Sequence, residues 1–304
     1  AALLGSASTL HAGGIDRSGQ SITALFESGR YAEFSLGSVS PNTSGVGAGP
    51  ASPVTPTPGA NSGNMTDNFF TFGAAYKADI NDQLSYAIIY DQPFGADVEY
   101  PTGTGYFAQG STAEFNSHAL TGLLRYKMPN NFSVHGGIRV QTIEASAVIP
   151  FIANYSVDGD RDTGVGYVAG VAYEKPEIAL RVSLTYNSKI SYDVRTSENS
   201  LIGSNVTETE VETPQSVNLE FQTGVAADTL VFGGVRWVDW SSFEIAPNDY
   251  STLTGGGKLL SYEDDVYTYS LGVGRRLSDT WSVAASVGYE KSNGGFSGNL
   301  GPTD

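Results

Sequence analysis

Four arginines, Arg125, Arg139, Arg181 and Arg236, lie on the polar side of stretches in which apolar and polar residues alternate. A guanidinium presents a planar fork of donors, so each could hold a carboxylate of a ligand through charge-assisted hydrogen bonds. They are the candidate ligand-binding residues. The commoner use of such a fork is an internal ion pair, and Glu33, Glu220 and Glu290 share the same polar face. Ser133 and His135 also share a face, as the nucleophile and base of an outer-membrane lipid hydrolase would, yet no local signature assigns them those roles. His118 and His135 stand apart with no partner at ligand spacing, so no metal is expected. The run from Asp158 to Gly164 opens like a calcium loop, but its glycine is one place late and Ala169 stands where the closing glutamate should be. Gly164, Gly166 and Gly170 mimic a dinucleotide fingerprint in front of a strand instead of a helix. The expectation is a protein with no cofactor and no enzymatic activity.

Those side chains can share a face only if strands carry them. Leu84, Tyr86, Ile88 and Tyr90 alternate with Ser85, Ala87, Ile89 and Asp91; Phe132, Val134, Ile138 and Val140 oppose Ser133, His135, Arg139 and Gln141. Leu180, Val182, Leu184 and Tyr186 oppose Arg181, Ser183, Thr185 and Asn187, and Trp281 to Glu290 repeats the scheme. Successive strand residues point to opposite faces, so one face suits lipid and the other a wet lumen. Stretches of about ten such residues separated by connections that are short and long in turn describe a transmembrane antiparallel β-barrel, an all-β fold. Short turns are expected at 77–83, 127–131, 174–177, 226–229 and 277–280, facing the periplasm. Long outside loops are expected at 39–67, 93–112, 147–162, 196–213 and 242–264. Tyr76, Tyr90, Tyr126, Tyr173, Tyr186, Trp281 and Tyr289 fall near strand ends, where amphipathic rings form interfacial girdles. The count is eleven strands. Bacterial barrels close with an even number, so the chain reads as incomplete after its last strand.

Composition narrows the class further. The 304 residues carry a net charge of -16, which excludes a nucleic-acid partner because phosphates demand a basic surface. No apolar run is long enough for a membrane helix, and alternation accounts for a mean hydropathy of only -0.15 in a membrane protein. The absence of cysteine suits passage through an oxidising periplasm. Residues 1–12 read as a signal-peptide remnant with a small-residue cleavage site. Residues 13–30, including Gly13, Ser18, Gly19, Leu25 and Phe26, are too irregular to face lipid and read as a luminal hatch or plug. Residues 31–304 would then be the barrel, lacking its carboxyl-terminal strands.

The order of several segments carries a resemblance. Residues 85–95 (Ser-Tyr-Ala-Ile-Ile-Tyr-Asp-Gln-Pro-Phe-Gly), 120–127, 131–137, 163–167, 183–190, 213–216, 237–243 and 277–283, behind a plug-like amino segment, resemble the long-chain fatty acid transporter (FadL-type) family across nearly the whole chain. The resemblance implies a monomeric fourteen-stranded outer-membrane barrel, of which about eleven strands are present here. It implies passive uptake of hydrophobic compounds such as long-chain fatty acids, with outer-membrane lipid as the other partner. Release would follow a hatch shift and a lateral opening at a kinked strand. Pro93, Phe94 and Gly95 are the expected gate, since proline removes a ladder donor and glycine tolerates a bulge. The family's Asn-Pro-Ala hatch element is replaced by Ser21 to Phe26. A general polar-solute porin is the alternative and would have no plug.

Overall fold

The computed structural model describes residues 14–47, 58–291 and 300. Residues 1–12 and Gly13, read above as a signal remnant and the start of the hatch, lie outside the described residues. The wall opens with β1 (Tyr31–Val39), β2 (Phe69–Asp79) and β3 (Leu84–Asp91), and β4 (Gly95–Glu99) resumes the line of β3. Then come β5 (Thr112–Lys127), β6 (Phe132–Ile149) and β7 (Tyr155–Lys175). β8 (Leu180–Asn187) resumes as β9 (Ile190–Ser200), and β10 (Gly203–Thr213) as β11 (Ser216–Ala226). β12 (Thr229–Val238) leads into an outer loop that holds β13 (Glu244–Ile245), α1 (Asn248–Thr254) and β14 (Leu260–Ser261), before β15 (Val266–Arg276) and β16 (Ser282–Glu290). The through-path of the antiparallel sheet is β1-β2-β3-β5-β6-β7-β8-β11-β12-β15-β16, the eleven wall strands expected. Among the described residues β1 is laddered to β2 and β16 to β15, with no pairing between β1 and β16.

Alternation makes this wall. On β5 Leu124 is 55% exposed while its neighbour Leu123 is 2% exposed, because the outer face meets lipid and the inner face meets packed side chains. Outward aromatic pairs mark two levels. Tyr76 with Tyr86 (6.2 Å) and Phe132 with Tyr173 (5.0 Å) lie near the short turns; Phe72 with Tyr90 (5.5 Å), Tyr167 with Tyr186 (5.8 Å) and Tyr269 with Tyr289 (6.5 Å) lie towards the long connections.

Two expected loops are strand. Residues 147–162 are mostly the end of β6 and the start of β7, and residues 196–213 are the β9–β10 hairpin. Their outward residues, Asp158 and Asp160 on β7 and Glu208 and Glu210 on β10, are exposed. These strands run beyond the outer girdle into water, where an outward face must be polar and the lipid pattern no longer applies. The calcium-like run at 158–164 is therefore extended strand and cannot wrap an ion.

Candidate functional site

Residues 14–30 are held against the inward-facing side chains. Asp16 pairs with Arg236 at 2.6 Å, both side chains being at most 5% exposed. Arg236 also donates to Ser216 (3.0 Å), Asn218 (2.8 Å) and Gln20 (3.2 Å), while Asn218 donates to the Gly19 carbonyl (2.8 Å). Ser216 reaches Gln20 (2.8 Å) and accepts from Asn187 (3.2 Å), which in turn accepts from Arg139 (3.1 Å), itself donating to Thr121 (2.9 Å). Ser18 closes the belt on Asp91 of β3 at 2.5 Å. A chain of buried polar contacts thus runs from β3 through the hatch to β12, β11, β8, β6 and β5. It crosses the lumen.

Below the belt, a single turn of 3-10 helix, Thr23–Phe26, buries Leu25 and Phe26 with Ile22 against Ala87, Ile89, Leu123 and Val168. Phe26 lies 4.7 Å from the Arg125 guanidinium and 4.9 Å from that of Arg181, with the His135 ring edge-on at 5.6 Å. These cation–π contacts seat the hatch on the floor of the lumen. Glu27 follows, and burial raises its carboxyl above the ordinary range, with Arg181 and Lys77 opposing the shift and Glu33 adding to it. A folded-state pKa raised above the unfolded value stabilises this seat in acid and loses that stabilisation as pH rises through it. Glu27→Gln should therefore slow hydrogen exchange of the Thr23–Phe26 amides at neutral pH and leave it unchanged at about pH 4. Equal exchange at both values in protein and variant would remove Glu27 from the seat.

The four candidate arginines do not converge on one ligand site. Arg125 pairs with Glu174 and donates to Ser133 (3.0 Å), Arg139 is spent on Thr121 and Asn187, Arg181 faces Phe26 and Glu220, and Arg236 holds Asp16. Of the expected carboxylates, Glu220 faces Arg181 and accepts from Ser21, while Glu33 accepts from Tyr31 and Glu290 from Thr268. The carboxylate partners of Arg125 and Arg236 come from the end of β7 and from the hatch, because lumen packing, not strand position, decides who meets whom. Ser133 and His135 bind different groups, Arg125 and Thr185 (3.1 Å), and are not placed as nucleophile and base.

Pro93 is not a strand end. β4 takes up pairing again with β5 at Gly95↔Asn116, so residues 92–94 interrupt a single wall strand. β2 and β3 are paired from Asp79↔Ser85 up to Ala74↔Tyr90, and pairing returns only at the bridge Thr66↔Val98 and the bond from Asp67 N–H to the Asp97 carbonyl (3.0 Å). Between them the wall has a window, spanned by a bond from Phe72 N–H to the Gln92 side-chain carbonyl (2.8 Å). The third strand has bent inward to pair with the hatch. Arg17 N–H donates to the Pro93 carbonyl and Gly95 N–H to the Ile15 carbonyl, both at 2.8 Å, with Asp16 bridged to Phe94. Phe94 is buried edge-on against Trp240 at 5.6 Å. A Cβ on Gly95 would come within 2.3–2.4 Å of the Arg17 guanidinium, so a larger residue there would have to displace that side chain.

Above the belt is an apolar cavity of about 370 Å³, lined by Phe69 and Val98 at the window, Phe115 and Ile143 on the far wall, and Leu260 and Tyr262 of the outer loop. That loop is pinned by Glu198, a buried carboxylate that accepts from Tyr155 (2.8 Å) and from the backbone N–H groups of Asp249 (3.0 Å) and Tyr250 (3.1 Å). A second cavity, about 290 Å³, lies on the other side of Arg17 and reaches Thr71, Phe72 and Gln92. Sequence reasoning missed Arg17, Asp97 and Glu198, since nothing local distinguishes them from surface charges.

Residues 30–294 match the family described as outer membrane protein transport protein (OMPP1/FadL/TodX). The chain belongs to this family. It is an outer-membrane β-barrel protein. Solved structures share its fold. A Pseudomonas aeruginosa FadL homologue is 15% identical with a TM-score of 0.62, over 86% of this chain and 70% of the other. The Pseudomonas putida toluene transporter TodX is 13% identical with a TM-score of 0.57, over 88% and 77%. The CymD monoaromatic hydrocarbon channel is 12% identical with a TM-score of 0.52, over 86% and 73%. No curated protein is detectably similar to the chain in sequence.

Proposed function

We propose that this protein is a passive uptake channel for hydrophobic compounds, capturing them in the apolar cavity above the belt and releasing them sideways through the window between β2 and β4. One observation carries this reading: the cavity adjoins a gap in the wall, while the lumen beneath it is crossed by buried polar contacts. An apolar solute gains roughly 0.8 kcal/mol per CH₂ on leaving water, so capture needs no energy source. Passing the belt would instead require breaking paired, buried hydrogen bonds against an apolar solute that cannot replace them. The wall strand at 92–96 has two sets of partners within reach, the hatch and β2, so a shift of the hatch frees the groups that pairing with β2 would use. Relatives in the family are named for toluene and monoaromatic hydrocarbons, and long-chain fatty acids belong to the same broad class of apolar cargo. The protein acts without a covalent step.

Uptake into liposomes tests this against a polar porin. Hydrophobic solutes should enter faster than through empty liposomes, with no gain for sugars. Sugar flux exceeding hydrophobic uptake would overturn it.

A further inference from the structure

Farther round the wall from the window is a second interruption. β7 is laddered to β8 from Lys175↔Leu180 to Val168↔Asn187 and to β9 from Gly159↔Thr196 to Ser156↔Asn199, and among the described residues no ladder joins the stretches between. Each strand is irregular there, at a different height. β7 is bulged against β6 between Asp162 and Gly159, and β9 changes face at Ser188 and Lys189, since Asn187 and Ile190 are both buried. Ile190 lies against Gly164 and Gly166, and Tyr192 against Gly164, so closely that neither glycine has room for a Cβ. This seam is shut by side chains instead of a backbone ladder.

The far side of the seam is one body. β9 and β10 stay paired with each other from Thr213↔Ile190 to Gly203↔Ser200, and their hairpin leaves the wall at Ser188-Lys189 and Pro214-Gln215, where the β8–β11 ladder has ended at Ser216↔Asn187. Pro214 has no N–H to carry that ladder on. The hairpin also holds the outer loop, through Glu198 on the N–H groups of Asp249 and Tyr250 and through a bond from Asn205 to Asp249 (3.1 Å). Hairpin and loop give Val194, Val211, Leu260 and Tyr262 to the upper cavity, whose other side is Phe115 and Ile143. Above the seam they are fastened to the wall by the four-residue ladder at 156–159, the bond from Leu201 N–H to the Ala153 carbonyl (3.0 Å) and the bond from the Tyr155 hydroxyl to Glu198 (2.8 Å). The two interruptions differ in their outer lips. Phe70 and Phe72 stand exposed at the window, whereas Asp160, Arg161, Asp193 and Arg195 stand exposed at the seam, just above the Tyr167–Tyr186 ring pair. A solute in lipid meets the first, and one in water meets the second.

We propose that the seam between β7 and β9 is the entrance to the upper cavity for apolar molecules arriving from water, and that the β9–β10 hairpin and the outer loop open it together as a lid latched by Tyr155 on Glu198. This rests on the uptake reading above and adds the entrance to that same site. Tilting at Ser188-Lys189 and Pro214-Gln215 withdraws Ile190 and Tyr192 from the glycines of β7 without breaking a ladder along the seam. The apolar surface so uncovered, Val194 and Val211 included, is covered again by the arriving molecule.

The test uses the protein in lipid nanodiscs and 1-bromooctane, whose bromine quenches tryptophan at short range. Trp240 is fully buried and packs 5.1 Å from the Tyr262 ring of the cavity, so its quenching reports arrival there; Trp281, 72% exposed on the wall, reports partition into lipid. Tyr155→Phe keeps the ring and removes the latch bond, while Glu198 keeps its backbone donors. Entry and release at Trp240 should both quicken by about tenfold, the worth of one hydrogen bond to a charged group, at an unchanged dissociation constant. Thr163→Cys with Asp193→Cys places thiols on the exposed face of the seam, beside the bond from Asp193 N–H to the Asp162 carboxylate (3.0 Å). Oxidised, this pair should slow both rates at least tenfold, and dithiothreitol should restore them. Entry at the full rate through the oxidised pair, or a Tyr155→Phe variant whose affinity shifts at an unchanged entry rate, would overturn the proposal. Absence of any Trp240 quenching in the unaltered protein would overturn the uptake reading itself and the proposal with it.

Discussion

Arg236→Met is expected to detach the hatch from the wall while leaving the barrel strands paired. Arg236 gathers Asp16, Gln20, Ser216 and Asn218 into one buried cluster, with distances of 2.6–3.2 Å. Without it Asp16, whose side chain is 4% exposed, keeps a charge with no cation beside it. Breaking a buried pair by removing one partner costs about 3–5 kcal/mol. The other ties of the hatch, the Arg17–Asp97 ion pair, the Ser18–Asp91 contact and the short backbone bridge to residues 93–95, hold it to β3 and β4 and leave Asp16 without its counter-charge. The strand ladders on either side of Arg236, Asn218↔Arg236 and Arg236↔Thr268, use backbone groups and survive the change. Two readouts follow: rapid hydrogen exchange of the 15–20 amides, and a measurable ion conductance in planar bilayers where the unaltered protein is nearly silent. Arg236→Lys, which keeps the charge but not the fork, should lie between the two. Conductance and exchange unchanged in the methionine variant would mean that the hatch is held elsewhere.

How much of this was legible beforehand depends on which contacts are local. The wall was legible because period-two alternation is a property of each strand alone: Ser133, His135 and Arg139 turn inward and Phe132, Val134 and Ile138 outward, as their spacing requires. The ends of β6, β7, β9 and β10 were misread because a strand in water alternates between buried and charged residues. Asp158, Asp160, Glu208 and Glu210 then resemble loop composition. The proline at 93 was legible as a weak point but not as an interruption within one strand, since the resumption at Gly95 depends on β5 from farther along the chain. The site was least legible. Asp16 and Arg236 are 220 residues apart, Arg17 and Asp97 are 80 apart, and a curved wall brings them together across space that no sequence window spans.

Cysteines at positions 72 and 92 should lock the window and stop hydrophobic uptake. Phe72 and Gln92 lie where the β2–β3 register would continue beyond Ala74↔Tyr90, and the Phe72 N–H already reaches the Gln92 side chain at 2.8 Å. The chain contains no cysteine of its own, so Phe72→Cys with Gln92→Cys creates a single defined pair. A disulfide demands Cα atoms roughly 4.4–6.8 Å apart, which the two strands meet when drawn into the register of their lower halves. Oxidised, the variant should take up hydrophobic probes at least about tenfold more slowly than the unaltered protein, because the remaining route is the polar belt and an apolar solute cannot replace its bonds. Reduction by dithiothreitol should restore the rate, and each single-cysteine variant should be insensitive to both treatments. Binding in the cavity ought to persist in the locked form, since Phe115, Ile143 and Leu260 are untouched, so the lock separates capture from release. Uptake that continues at full rate through a demonstrably oxidised pair would place the exit elsewhere in the wall.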